Sequence, residues 1–543
     1  MTQHTSAMLH VKHVFSLLIL LGMSISAFAG NIDSQKTFYV QDYISKSPGD
    51  IRQAFKNLSE DVNNNGGGKV LFPRKSSFYI DVPQSIYASS SPDHVVSIVV
   101  LNFKNCKNLE VDMNGCTIRV GRNHLVRYKI LSISYCQSFY AHDGIIIGDA
   151  DCHDYTSVKI KKTDNKTHEW GYGINLRGSC GTVRNMTVSN MTGDGIYAGS
   201  IKNDGVAYHS NLKIENCEVK YCRRNGITCV SSNGIVITGC KVHHIGTWKY
   251  PVVAGDSVQV TGTAPQAGID FEFEDGVGDS GPIVLKDGQI DHCTSKVVTS
   301  AKNTKVVSYC VKDMTFSGSL FQIANIISNN KRVKNCTFRS VPIQMGTASV
   351  DRCSFVWSSQ LSYVNGTRFN RCTFLGSLAP STKNGCCLAG SDSKPCYFSR
   401  CTFKDIRGLN NTSASHQGFS GYQYTLNAEF HNCTFDNCSF VKGNPKMESS
   451  FTFEKCILRN GCMIYNEGGN EIEFKRSTLD NVSSYINQSG RFTFTRCKVI
   501  QDDESVMYPL LLYGTHKMKR VRISQRSYDS VKRKNLPLKI SNQ

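Results

Sequence analysis

Val333-Lys334-Asn335-Cys336-Thr337-Phe338 is followed 17 residues later by Val350-Asp351-Arg352-Cys353-Ser354-Phe355. The phrase returns as Phe369-Asn370-Arg371-Cys372-Thr373-Phe374, Phe398-Ser399-Arg400-Cys401-Thr402-Phe403 and Phe430-His431-Asn432-Cys433-Thr434-Phe435. Weaker copies centre on Cys217, Cys240, Cys456 and Cys497, and Ser477 stands where another Cys would. From Cys336 the centres are 17, 19, 29, 32, 23, 21 and 20 residues apart. A period of roughly 20 residues with variable insertions marks a solenoid. Within each phrase the apolar residue, the Cys and the Phe alternate with polar residues, which predicts a strand with one buried face. No helical pattern separates the copies, as it would in a leucine-rich or α/β solenoid. The predicted fold class is therefore all-β, a right-handed parallel β-helix. Inward side chains then stack into a long core, outward ones form flat ladders, and loops wall a groove.

The bulk properties bound the setting. Lys12 is the only formally charged residue before the apolar run Val14 to Leu21, and Ala27-Phe28-Ala29 supplies a small-x-small cleavage site. Residues 1–29 are expected to be a signal peptide, residues 30–506 the β-helix with an N-terminal cap, and residues 507–543 a last coil with a basic tail. The protein is then exported, to the periplasm, the cell surface or the medium, and no later stretch is long enough to span a membrane. Most of the 23 Cys recur at one inward position and are expected to form a buried ladder rather than disulfides. Cys386, Cys387 and Cys396 lie outside the phrase and are the better disulfide candidates. The net charge is +19. From Gly514 to Gln543 there are nine Lys or Arg and a single acid, Asp529. A basic surface suits a polyanionic partner such as an acidic polysaccharide, and no nucleic-acid motif is present.

Near the N-terminus, Ser47-Pro48-Gly49-Asp50 predicts a helix start with Ser47 as N-cap and Pro48 at the first helical position. Ile51, Phe55, Leu58 and Val62 fall on one helical face. Asn63 to Gly68 ends the helix, and Lys69-Val70-Leu71-Phe72-Pro73 begins the first strand. Such a helix would cap the open end of the solenoid and cover its unpaired strand edge. The segment from Asp50 to Pro73, Asp-Ile-x-x-Ala and then Gly-Gly-Gly-Lys-Val-Leu-Phe-Pro, resembles the start of the pectin-lyase-like β-helix superfamily. That superfamily includes pectate lyases, polygalacturonases, alginate-modifying enzymes and phage tailspikes. The resemblance implies the fold and leaves the reaction open.

Four coils in the middle carry a Gly-Ile step, at Gly173-Ile174, Gly195-Ile196, Gly226-Ile227 and Gly268-Ile269. With Ile inward, alternation predicts one outward ladder of Asn175, Tyr197, Thr228 and Asp270. A second holds Arg177, Gly199, Val230 and Glu272. In Gly268-Ile269-Asp270-Phe271-Glu272-Phe273-Glu274-Asp275 the carboxylates of Asp270, Glu272 and Glu274 share one face. Crowded acids repel, so at least one pKa should rise. Asp194 and Arg224 lie just before two of the Gly-Ile steps. Long insertions flank these coils and bring Trp248, Tyr250, Tyr208 and His209. Asp149, His153, His168 and Glu169 enter the same region.

The pattern of Gly193-Asp194-Gly195, Arg223-Arg224-Asn225-Gly226-Ile227 and Gly262 to Asp270 is similar to a subgroup of bacterial β-helix proteins assumed to act on polysaccharides. Of the polygalacturonase motifs only a Gly-Asp at Gly193-Asp194 is matched. No Gly-His-Gly and no alginate-epimerase Asp-Pro-His occurs. The expected function is an exported carbohydrate-active enzyme that cleaves an acidic polysaccharide. Hydrolysis is preferred over elimination because carboxylates outnumber basic groups on the predicted face. Asp270 and Glu272, or Asp194 facing one of them, would be the acid and base, and Arg224 would hold a uronate or sulfate. Asn175, Arg177, Tyr197, Trp248, Tyr250 and Glu169 are the expected substrate contacts. In a lyase the acids would instead hold Ca²⁺ and Arg224 or a Lys would take the proton; hydrolysis calls for no metal. The alternative is a non-catalytic glycan-binding or adhesin-like surface protein.

Overall fold

A computed structural model describes residues 35–82, 97–155, 168–247, 250–251, 259–260, 262–272, 280–356, 360–362, 366–376, 387–389, 395–406, 427–441, 450–466, 471–486, 491–500 and 515–523. Short strands stack in parallel, coil upon coil, into a 33-stranded sheet and an 11-stranded sheet. The inward residues form one continuous core from Phe38 to Met518. No helix among the described residues is long and apolar enough to cross a membrane. The expected signal peptide lies outside the described residues, as do Cys386 and the chain beyond residue 523.

The Cys phrase is two strands, not one. Lys331–Lys334 and Thr337–Arg339 flank Asn335, whose φ is +52°. Arg352, Arg371, Arg400 and Asn432 take the same place with φ of 51–56°. The sequence contains the reason: Val333 and Cys336 are three residues apart, which period-2 alternation cannot put on one face. A left-handed residue between them turns the chain so that both point inward. The Cys ladder itself is buried, with Cys336, Cys353, Cys372, Cys401 and Cys433 at 1–2% exposure. Their thiols also hydrogen-bond. Cys353 Sγ accepts from the Cys336 backbone N–H at 3.4 Å, and Ser477 Oγ accepts from the Cys456 N–H at 3.1 Å. That shared role explains the Ser in the Cys series. Cys396 is buried as a free thiol.

Beside the thiols, Phe338, Phe355, Phe374, Phe403 and Phe435 stack with centroids 4.6–5.1 Å apart and rings within 8° of parallel. The spacing is that of neighbouring strands. A second column, Phe369, Phe398, Phe430 and Phe453, meets the first edge-on. Each such pair adds about 0.5–1.5 kcal/mol beyond burial.

The N-terminal cap differs in detail from expectation. A strand, Thr37–Tyr39, precedes the Lys69 strand and pairs with it. A first helix, Val40–Lys46, ends at Ser47, so Ser47 is a C-cap. The predicted helix runs Ile51–Asn64 with Asp50 as N-cap, its side chain accepting from Gln53 N–H. Asp50 outcompetes Ser47 because its carboxylate can meet the helix N-terminus three residues on. This helix covers the exposed edge of Ser97–Lys104. Ser59 Oγ accepts from Asn102 N–H, and Asn63 bonds both Lys104 N–H and Asn102 C=O. At the other end, Thr515–Lys519 and Arg522–Ile523 pair with the preceding coil, and Met518 joins the core.

Candidate functional site

The 11-stranded sheet carries the Gly-Ile coils. Ile174, Ile196, Ile227 and Ile269 are in register and buried. The glycines before them permit close coil approach: a Cβ on Gly195 would lie 2.8 Å from Gly226 O, and one on Gly226 would lie 2.5 Å from Gly268 O. Outward, Asn175, Tyr197, Thr228 and Asp270 form one ladder, and Arg177, Gly199, Val230 and Glu272 the next.

Asp194, Arg224, Asp270 and Glu272 meet on this face. Arg224 donates through one terminal nitrogen to Asp194 Oδ2 at 2.8 Å and through the other to Glu272 Oε1 at 3.1 Å. Asp194 also accepts from Thr228 Oγ1 at 2.9 Å and from Asn225 N–H at 3.2 Å. Asn225 Nδ2 donates to Asp270 Oδ2 at 3.2 Å, and its Oδ1 accepts from Ala267 N–H at 3.0 Å. Asp270 and Glu272 lie two residues apart on the strand Ala267–Glu272, close enough for the Glu272 charge to act on Asp270.

Burial grades these acids. Asp194 is wholly buried and Asp270 is 4% exposed, while the Glu272 side chain is 30% exposed. Burial first, then the charge of Glu272, push Asp270 up to about 8. Burial raises Asp194 to about 6 against the pull of Arg224. Burial works against the Arg224 charge, yet Asp194 and Glu272 overcome it and hold the guanidinium firmly protonated. Asp270 is thus a proton-carrying acid beside the more exposed Glu272, with Arg224 neutralising the group.

Other expected residues take varied places. Tyr197 stacks on Tyr172 at 4.8 Å and accepts a hydrogen bond from Arg177 at 2.7 Å. Asn175 is buried and donates to Ser132 Oγ at 3.0 Å. Glu169 is buried within electrostatic reach of Arg224. Asp149, His153 and His168 form a buried hydrogen-bonded chain with links of 2.7 and 2.8 Å, tied to Tyr128 and Asn123. Tyr208 packs against Tyr135. Trp248, Glu274 and the Tyr250 side chain lie outside the described residues. Asn225, the amide linking Asp270 to Asp194, was not singled out as a site residue. Its position before a Gly-Ile step, matching that of Asp194, was the available signal.

Metal-ligating side chains also gather elsewhere. His244, Asp291 and His292 form one group, and Glu110, Asp112 and His142 another. Lys69 already pairs with Glu110 at 2.7 Å.

A family model described as "Right handed beta helix region" matches residues 86–273, the stretch that contains the acid cluster. Two proteins of Bacillus subtilis (strain 168) are similar over part of the chain. The SPbeta prophage-derived uncharacterized protein YorA is 31% identical over 169 residues, 30% of this chain and 26% of its own length. The uncharacterized protein YclG is 31% identical over 170 residues, again 30% and 26%. The match thus spans about a quarter of these relatives. Among solved structures, PfbA, a surface adhesin of Streptococcus pneumoniae, shares 11% identity at a TM-score of 0.33 over 87% of this chain and 94% of that one. A tailspike protein mutant of E. coli bacteriophage HK620 in complex with pentasaccharide shares 10% at 0.35, over 88% and 77%. A GH87 α-1,3-glucanase catalytic domain in complex with tetrasaccharides shares 11% at 0.27, over 94% and 69%. With its stacked parallel coils and the match over residues 86–273, the chain has the right-handed parallel β-helix fold.

Proposed function

We propose that the protein is a glycoside hydrolase acting on a polysaccharide laid along the 11-stranded sheet. The observation that carries the reading is the outward pair Asp270 and Glu272, two residues apart on one strand and tied through Arg224 and Asn225 to Asp194. Asp270, holding its proton at neutral pH, serves as general acid to the departing glycosidic oxygen. Glu272, more exposed and paired with the Arg224 guanidinium, is the partner that takes the proton of a water as that water adds to the anomeric carbon and the bond to the departing oxygen breaks. Asp194 has its oxygens taken by Arg224, Thr228 and Asn225. It is therefore a positioning residue for Arg224, not a second acid at the bond. Arg224 spends both terminal nitrogens within the cluster, so substrate anions find their partner elsewhere. Its charge also stands between Asp194 and Glu272, where a lyase of this kind would keep Ca²⁺, and this favours hydrolysis over elimination.

The test is a screen of acidic and neutral polysaccharides, following both reducing ends and the absorbance of unsaturated uronides. Reducing ends without that absorbance, lost in Asp270→Asn and in Glu272→Gln, support hydrolysis. Equal activity in Asp270→Asn overturns it. The near-complete burial of Asp194 and Asp270 favours a second reading, a glycan-binding surface braced by an internal charge network. Binding without turnover of any polysaccharide would select that one.

A further inference from the structure

The sheet face that bears the acid cluster changes sign toward its N-terminal end. Ser97–Lys104, Arg127–Ser134 and Trp170–Arg177 pair in register. Their outward positions place Lys104 in line with Ser134 and Arg177, Lys129 in line with Tyr172, and Arg127 in line with Trp170. Arg127 lies over the Trp170 ring at 4.2 Å and Arg177 is fixed on Tyr197. Lys129 is half-buried among Lys104, Arg127 and Arg177, and no carboxylate among the described residues comes within ion-pair distance of it. Beyond Val99, which pairs with Lys129, a cleft is lined by Asp50, Arg52, Gln53, Lys56 and Ile98 to Val100. There the buried Arg52 Nη1 has no hydrogen-bond partner among the described residues.

We propose that Lys129, with Lys104, Arg127 and Arg177, forms an anion subsite that holds a carboxylate or sulfate substituent of the glycan. The subsite rests on the reading of this face as the polysaccharide groove and gives the groove a direction. Lys129 lies four strands from Asp270, about 19 Å along the axis at the spacing of paired strands. The Tyr172 and Tyr197 rings lie between them. An anionic residue anchored at Lys129 therefore sets which linkage reaches Asp270. Crowded cations in a partly desolvated place gain most from an anion that replaces the missing counter-charge. In agreement, burial first, and then Arg177, Lys104 and Arg127, lower the Lys129 pKa.

The test is binding of three oligosaccharide probes to the whole protein by calorimetry: an oligogalacturonate, a sulfated galactan oligomer and a neutral glucan oligomer. An acidic probe should bind with an affinity that falls as salt is added. Lys129→Met should weaken that probe about tenfold and leave the neutral probe unchanged, while Lys129→Arg retains binding. The better of the two acidic probes identifies the anion. Equal effects of Lys129→Met on acidic and neutral probes, or neutral binding alone, overturn the subsite. Acidic binding with the Lys129 dependence but no turnover would leave the subsite standing and remove only the hydrolase reading. Turnover confined to neutral glycans would do the reverse.

Discussion

Replacing Asp270 by Asn should stabilise the fold at neutral pH while removing turnover. Asp270 is almost wholly buried, and burial with the neighbouring Glu272 holds its pKa near 8. In the unfolded chain an Asp titrates near ~3.9. At pH 7 folding must therefore take up a proton, which costs about 4 kcal/mol from about 1.36 kcal/mol for each of roughly three pH units. Between the two pKa values the folded state binds more protons than the unfolded state, so stability falls as pH rises from about 4 to 8. An amide keeps the acceptor for Asn225 Nδ2, offers Glu272 a donor and does not titrate. The gain should be about 2–4 kcal/mol at pH 7, since the amide bonds less strongly than the acid it replaces. An unfolding entropy of about 2.1 cal/mol/K per residue over roughly 500 residues makes this about 2–4 °C if the solenoid melts as one unit. Thermal melts of both proteins by circular dichroism, at about pH 4, 5.5, 7 and 8.5, would measure it. The gap should be near zero at the lowest pH and widen upward. A gap that stays constant with pH, or an Asn variant that melts lower at pH 7, would refute the argument that Asp270 is held protonated.

Other expectations follow from the same contacts. Arg224→Met leaves Asp194 buried beside no guanidinium and should cost about 3–5 kcal/mol in a urea melt, whereas loss of a surface pair would cost under about 1 kcal/mol. Cys353→Ala opens a cavity and strips Cys336 N–H of its acceptor, a loss of about 2 kcal/mol. Cys353→Ser should lose less, because Ser477 fills the same role five coils on in the same series; a Ser variant weaker than the Ala variant would contradict the thiol's bonding role. Truncation after Ile523 should leave the melting temperature nearly unchanged. Truncation after Gly514 removes a paired coil and should lower it, so equal melts for the two would show that Thr515 to Ile523 is not part of the folded solenoid.

The coil repeat was legible in the chain because a solenoid writes its core once per turn. The Cys, the Phe and the Gly-Ile steps occupy equivalent places, and the ladder of Asn175, Tyr197, Thr228 and Asp270 follows from alternation alone. The acids were legible for a related reason, since strands seldom carry Asp and Glu at adjacent outward positions. What the sequence could not express is how neighbouring coils meet. Asn225 and Asp270 are 45 residues apart, and only the register of their coils makes them partners. The same holds for Arg224: sequence chemistry suggested a free guanidinium for substrate, and tertiary contact spends it on Asp194 and Glu272. The three-residue step from Val333 to Cys336 does mark the left-handed residue, but alternation read over the whole phrase hides it, so Asn335 and Arg352 look like ordinary strand positions. Local pattern determined which side chains face outward. Stacking of coils across insertions of variable length decided which of them touch, and with that which acid keeps its proton.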